Sequence, residues 1–167
     1  TVVHEVGVTT KKLGELEVGE KIMNVVGPLG VPSAVKRYGH VIGICKGGTG
    51  AALHPILRSL KESGNRVTAI LGANSSEFLV YEDKIGAVCD ELLIATDDGT
   101  KGRKGSTVDA LREYLAGKTV DFVIAIGPTK MMKTVAKITK ERGIKCVASL
   151  APVMVDGTGM CGACRVT

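Results

Sequence analysis

The sequence predicts an α/β fold built on an open, doubly wound, parallel five-stranded sheet. From Tyr38 onward, short apolar runs alternate with amphipathic ones, the pattern of successive βα units. The connections are short and end at glycines such as Gly64. A glycine-rich turn, Gly47 to Gly50, stands between the first strand and the first helix.

The elements follow in order. His40 to Cys45 is the first strand, and Leu53, Ile56, Leu57 and Leu60 then recur at helical spacing until Gly64 supplies a stop. Arg66 to Leu71 is the second strand. A short helix is expected around Ser76 to Ile85 and a third strand from Val88 to Ile94. Asp97 to Gly105 reads as a polar, glycine-rich loop. Ser106 and Asp109 form a capping arrangement for a helix that buries Val108, Leu111 and Leu115. Asp121 to Ile126 is the fourth strand, Pro128 opens a helix where proline is best tolerated, and Ile144 to Ser149 is the fifth strand. Right-handed crossovers then place ligands at the carboxyl ends of the strands.

Residues 1–37 break this rhythm. Thr1 to Val6 and Lys21 to Val26 look like strands joined by glycine-rich and charged turns, so they are expected to be the end of a β-barrel. Three regions result: 1–37 as a barrel remnant, 38–151 as the α/β domain and 152–167 as a short cysteine-bearing segment. Thr1 stands inside an expected strand and Thr167 three residues after a cysteine motif, so both ends are expected to be cut.

Composition narrows the classes of function. With 167 residues, 44% of them hydrophobic, the chain can bury one sizeable core. Its most apolar runs are only strand length, which predicts no membrane segment. Nothing at the N-terminus marks it for secretion, and a cytoplasmic location is the default expectation. The net charge of +5 is spread along the chain and aromatics are only 3%, so stacking platforms for nucleic acid are absent and no nucleic-acid partner is expected. Five cysteines, an odd number without a secretory signal, argue against a disulfide framework. Cys45, Cys89 and Cys146 lie in apolar runs and read as small buried hydrophobes.

Three motifs carry candidate chemistry. Gly47, Gly48, Thr49 and Gly50 join a strand to a helix, where glycines admit a pyrophosphate to the backbone and the helix start offers free N–H groups. A purely structural glycine turn is the alternative. Gly127 and Pro128 end the fourth strand and should face the same ligand, although this pair also reads as an ordinary helix start. Asp156, Cys161 and Cys164 match the C-x4-C-x2-C spacing of plant-type 2Fe-2S ferredoxins with Asp in the first place. Half of a zinc site and a thiol–disulfide pair remain open for the same cysteines.

With these motifs the sequence resembles the electron-transfer subunits of the ferredoxin-reductase superfamily. It is similar to the dihydroorotate dehydrogenase electron-transfer subunits and to the alpha subunits of NADH-dependent ferredoxin:NADP oxidoreductases of the sulfide dehydrogenase type. The resemblance rests on Gly7 to Thr10, Gly27-Pro28-Leu29-Gly30, Gly47 to Pro55, Asp97 to Gly99, Gly127 to Met132 and Asp156 to Cys164. Asp156 and Ile126, where related subunits carry Cys, favour the ferredoxin:NADP oxidoreductase branch.

The resemblance implies FAD held near Gly7, Thr10, Gly27, Pro28, Leu29 and Gly30. It also implies NAD(P)H at Gly47, Gly48, Thr49, Gly50, Asp97, Gly127, Pro128 and Met131, and a 2Fe-2S cluster at Asp156, Cys161 and Cys164. Electrons would pass from NAD(P)H through FAD to the cluster and on to a catalytic flavoprotein or iron-sulfur partner subunit, or to ferredoxin. These cofactors carry the chemistry, so no catalytic side chain is assigned, and His4, His40 and His54 receive no catalytic role. Ala73-Asn74 offers no arginine for a 2′-phosphate, which predicts a preference for NADH. The competing readings are a nucleotide-sensing module whose Cys pair holds zinc, and the electron-transfer subunit of a dihydroorotate dehydrogenase or a hydrogenase. Without the earlier flavin motif and a fourth cluster ligand, this stretch is expected to be inactive alone, with FAD and cluster incomplete.

Overall fold

The computed structural model describes residues 2–166. They divide into two compact units, one comprising Thr1–Pro32 with Ala151–Thr167 and the other Ser33–Leu150.

The larger unit is the parallel sheet. Its strands are β1 (His40–Lys46), β2 (Arg66–Ala73), β3 (Glu91–Thr96), β4 (Arg103–Lys104), β5 (Phe122–Ile126) and β6 (Lys145–Ser149), in the order β4-β3-β2-β1-β5-β6. All pair in parallel. The sheet has six strands, not the expected five. The addition, β4, is two residues long and pairs Arg103 and Lys104 with Ala95 and Thr96. Two polar residues within a glycine-rich loop carry no hydrophobic period, so this strand leaves no sequence signal.

Alternation along the strands builds two cores. Val41, Cys45, Val67, Ala69, Leu71, Phe122, Ile124 and Ile126 share one face with Leu53, Leu57 and Leu60 of α2 (Gly50–Glu62). Ile42, Ile44, Ile70, Val123 and Ala125 face α4 (Thr107–Gly117) and α5 (Thr129–Glu141) on the other side. Close approach needs glycine at two places. A Cβ on Gly43 would lie 2.6 Å from Leu57 Cδ2, and one on Gly72 would overlap Thr107 Cγ2. Ser106 caps α4 as expected, its Oγ accepting from Asp109 N at 3.2 Å. Pro128 is the residue just before α5.

Two boundaries differ from the sequence expectation. Between Ser76 and Ile85 stand a 3-10 turn, Ser76–Phe78, and a separate short helix, α3 (Glu82–Gly86). β3 starts at Glu91 because Asp90 is used as an anchor: its carboxylate accepts from Val67 N at 2.8 Å and pairs with Lys61 at 2.5 Å.

In the smaller unit, the described parts of the two runs expected as barrel strands are irregular. Val8–Gly14 is a helix, α1, and the runs expected as strands carry no ladder; Thr1 lies outside the described residues. A strand needs a neighbour for its N–H and C=O groups, and among the described residues these runs have none. Local bonds win instead. Thr10 Oγ1 accepts from Val6 N at 3.1 Å and Gly7 N at 2.9 Å, closing the first turn of α1. Among the described residues no helix is long and apolar enough to cross a membrane.

Candidate nucleotide crevice and cysteine loop

Strand order reverses between β1 and β5, which lie side by side with Cys45 opposite Ile126. This reversal leaves a crevice at the carboxyl ends of both strands. β1 runs into a 3-10 turn, Gly47–Thr49, and directly into α2. The Thr49 hydroxyl fixes the turn, lying 2.9 Å from Lys46 O and 3.0 Å from Ile126 O, and it accepts from Lys46 N at 3.3 Å. The two glycine turns singled out by sequence are thereby brought together.

The glycines in them have different duties. Gly47 has φ +65, and a Cβ on either Gly47 or Gly48 would meet nothing within 4 Å. These two face open space. A Cβ on Gly50 would lie 2.6 Å from Val80 O, so Gly50 serves the packing of α2. A Cβ on Gly127 would come within 2.9 Å of Met131 Cε.

Beside the turns lies a cavity of about 450 Å³, lined by Lys46, Ser106, Thr107, Arg112, Pro128, Lys130 and Met131 among others. That volume falls in the range of small-molecule sites, roughly 300–1,000 Å³. Three cations surround it. Thr107 is 2% exposed and lines this cavity. Asp97 joins the crevice through an ion pair, Lys46 Nζ to Asp97 Oδ2 at 2.6 Å. Sequence reasoning missed Lys46, Thr107 and Arg112, whereas Lys130 lies within the Gly127 to Met132 stretch it had singled out. Lys46 adjoins the glycine turn, and that adjacency was the available signal.

The histidines of this unit are engaged by neighbours. His40 Nδ1 lies 2.8 Å from Thr119 O and Nε2 lies 2.9 Å from Thr68 Oγ1, at the opposite end of the strands. His54 meets the Tyr81 ring edge-on. Burial pushes the Cys45 thiol up to about 12, with the Thr49 side chain opposing.

In the smaller unit, Gly30, Asp156, Gly157, Cys161 and Cys164 line a cavity of about 390 Å³. Asp156 accepts from Thr158 N and Thr158 Oγ1, each at 3.0 Å. These bonds, the Thr158 N–H first, hold its carboxyl below the usual carboxylate range, and the side chain and N–H of Cys161 add to them. Cys161 and Cys164 are exposed and free. An oxygen donor and two thiols on one wall fit part of an iron-sulfur ligand set in chemistry. Among the described residues, however, no three such side chains already converge at metal-ligand spacing. For the expected flavin contacts the fit is poorer. The Gly7 N–H is already taken by Thr10 Oγ1.

No family model matches the chain. It is 46% identical over 167 residues to a dihydroorotate dehydrogenase B (NAD+) electron transfer subunit homolog of Thermotoga maritima, covering 99% of this chain and 58% of that protein. It is 34% identical over 166 residues to a probable subunit of the same kind from Thermococcus kodakarensis, covering 68% of that protein. Among solved structures, that of an NADH-dependent reduced ferredoxin–NADP oxidoreductase aligns at a TM-score of 0.90 and 44% identity, over 99% of this chain and 59% of the other. The chain thus spans about three fifths of the Thermotoga protein's length.

Proposed function

The chain belongs to the family of dihydroorotate dehydrogenase B electron-transfer subunits, which are oxidoreductase subunits, and from that premise we propose that its Ser33–Leu150 unit binds NAD(P)H as electron donor. The observation that carries this is the Thr49 hydroxyl bridge, which fixes two glycine turns at the strand-order reversal while Gly47 and Gly48 stay open to a ligand.

Gly47, Gly48 and Thr49 present their backbone, and Gly50 the start of α2, to the pyrophosphate. Pro128 and Met131 form the opposite wall, and Asp97 supplies an acceptor for ribose hydroxyls. None of these side chains transfers a proton. Their work is to bind, orient and exclude water.

Asp156, Cys161 and Cys164 are proposed as three ligands of a 2Fe-2S cluster, and the Gly7 to Thr10 and Gly27 to Gly30 stretches as flavin neighbours by family likeness. FAD and the cluster, when bound, supply the division of a two-electron hydride into single electrons for a partner subunit. Titration of the full-length protein with NADH and a visible spectrum test the proposal. Saturable NADH binding with flavin and 2Fe-2S bands supports it; a colourless, zinc-containing protein overturns the cluster and flavin assignment.

A further inference from the structure

The crevice holds one charged pair that the glycine turns do not explain. Lys46 ends β1 and Asp97 follows β3, so their ion pair spans the carboxyl end of the intervening β2. Among the described residues each is the other's sole side-chain partner. Asp98 behaves differently. Its carboxylate accepts from Thr100 N at 2.9 Å and Thr100 Oγ1 at 2.7 Å, and so belongs to its own loop.

We propose that Lys46 and Asp97 are an exchange pair for the dinucleotide: Lys46 moves its ammonium from Asp97 to the pyrophosphate, and the freed carboxylate accepts the ribose hydroxyls. This rests on the NAD(P)H reading above. Lys46 directly precedes Gly47, so its flexible stem already starts where the pyrophosphate would lie. The side chains are 26% and 44% exposed, and an exposed pair contributes little to folding, so opening it is inexpensive.

The exchange also balances charge. One ammonium–anion contact is lost and one is gained, while two hydroxyl-to-carboxylate bonds are added. A bare carboxylate in the crevice would repel the phosphates; the lysine cancels that repulsion until the ribose arrives. A 2′-phosphate would set a second anion against Asp97, so the pair selects NADH for a reason separate from Ala73-Asn74.

The test uses full-length protein and competition binding of adenosine, ADP-ribose and NADH. Lys46→Met should weaken ADP-ribose and NADH about tenfold or more while adenosine binds no more weakly than to wild type, because its ribose finds Asp97 already free. Lys46→Arg should restore ADP-ribose. Asp97→Asn should weaken adenosine and narrow the preference for NADH over NADPH. Equal weakening of adenosine and ADP-ribose by Lys46→Met, or unchanged ADP-ribose, overturns the exchange while leaving the dinucleotide site standing. Failure of the wild type to bind ADP-ribose overturns both.

Discussion

The Thr49 hydroxyl reaches the Ile126 carbonyl at 3.0 Å, joining the turn after β1 to the end of β5 across 77 positions of sequence. The same oxygen accepts from Lys46 N, so one side chain serves three backbone groups of the crevice. Thr49→Val keeps the shape and removes every one of these bonds. Leaving part-buried backbone groups unpaired costs about 1–3 kcal/mol. Urea unfolding should report that loss, and NADH titration should show weaker binding, since both turns lose their mutual reference.

Gly48 and Gly50 provide a contrast within one turn. Gly48→Val adds a side chain in open space and should leave the unfolding midpoint nearly unchanged, while NADH affinity falls at least about tenfold, roughly 1.4 kcal/mol. Gly50→Ala drives a Cβ against Val80 O and should behave the other way, with stability falling by about 1–3 kcal/mol. Unchanged NADH affinity in a folded Gly48→Val protein would remove the phosphate role from this turn.

Much of the sheet unit was legible because burial imposes period. Leu53, Leu57 and Leu60 recur at helical spacing and are all fully buried. Ser106 announced its own cap through Asp109. What the sequence hid depends on partners distant in the chain. The Lys46–Asp97 pair joins residues 51 positions apart, and only the strand order brings them together. Arg103 and Lys104 become a strand solely because β3 offers an edge. α1 was hidden because it is set by one local side chain, Thr10, which accepts from Val6 N and Gly7 N and leaves no hydrophobic period to read.

The cysteine loop predicts a ligand-specific response. In the full-length protein, Cys161→Ser and Cys164→Ser should each lower bound iron and sulfide, because both thiols line the cavity that also holds Asp156. Asp156→Cys should retain the cluster and shift its reduction potential, since the oxygen donor is replaced by a softer thiolate. Iron content unaffected by both serine variants would show that the cluster ligands lie elsewhere.

Cys45 sets an alkaline limit on stability. Its thiol is fully buried between β1 and α2, and burial raises it from 9.0 to about 12. An unfolded chain releases that proton near pH 9, whereas the folded chain holds it until about 12. Between these values the unfolded state binds fewer protons, so stability falls as pH rises, by at most about 1.4 kcal/mol per pH unit for one thiol. Below pH 9 the contribution is complete. Lysines and tyrosines titrate in the same window, and comparison with Cys45→Ala isolates the thiol: the variant should be less stable at pH 8 yet lose stability less steeply above pH 9. Parallel slopes for the two proteins would place the Cys45 proton release outside this range. Native-state alkylation of the cluster-free protein at pH 8 gives an independent check, with Cys161 and Cys164, both exposed, labelled quickly and Cys45 labelled only after unfolding.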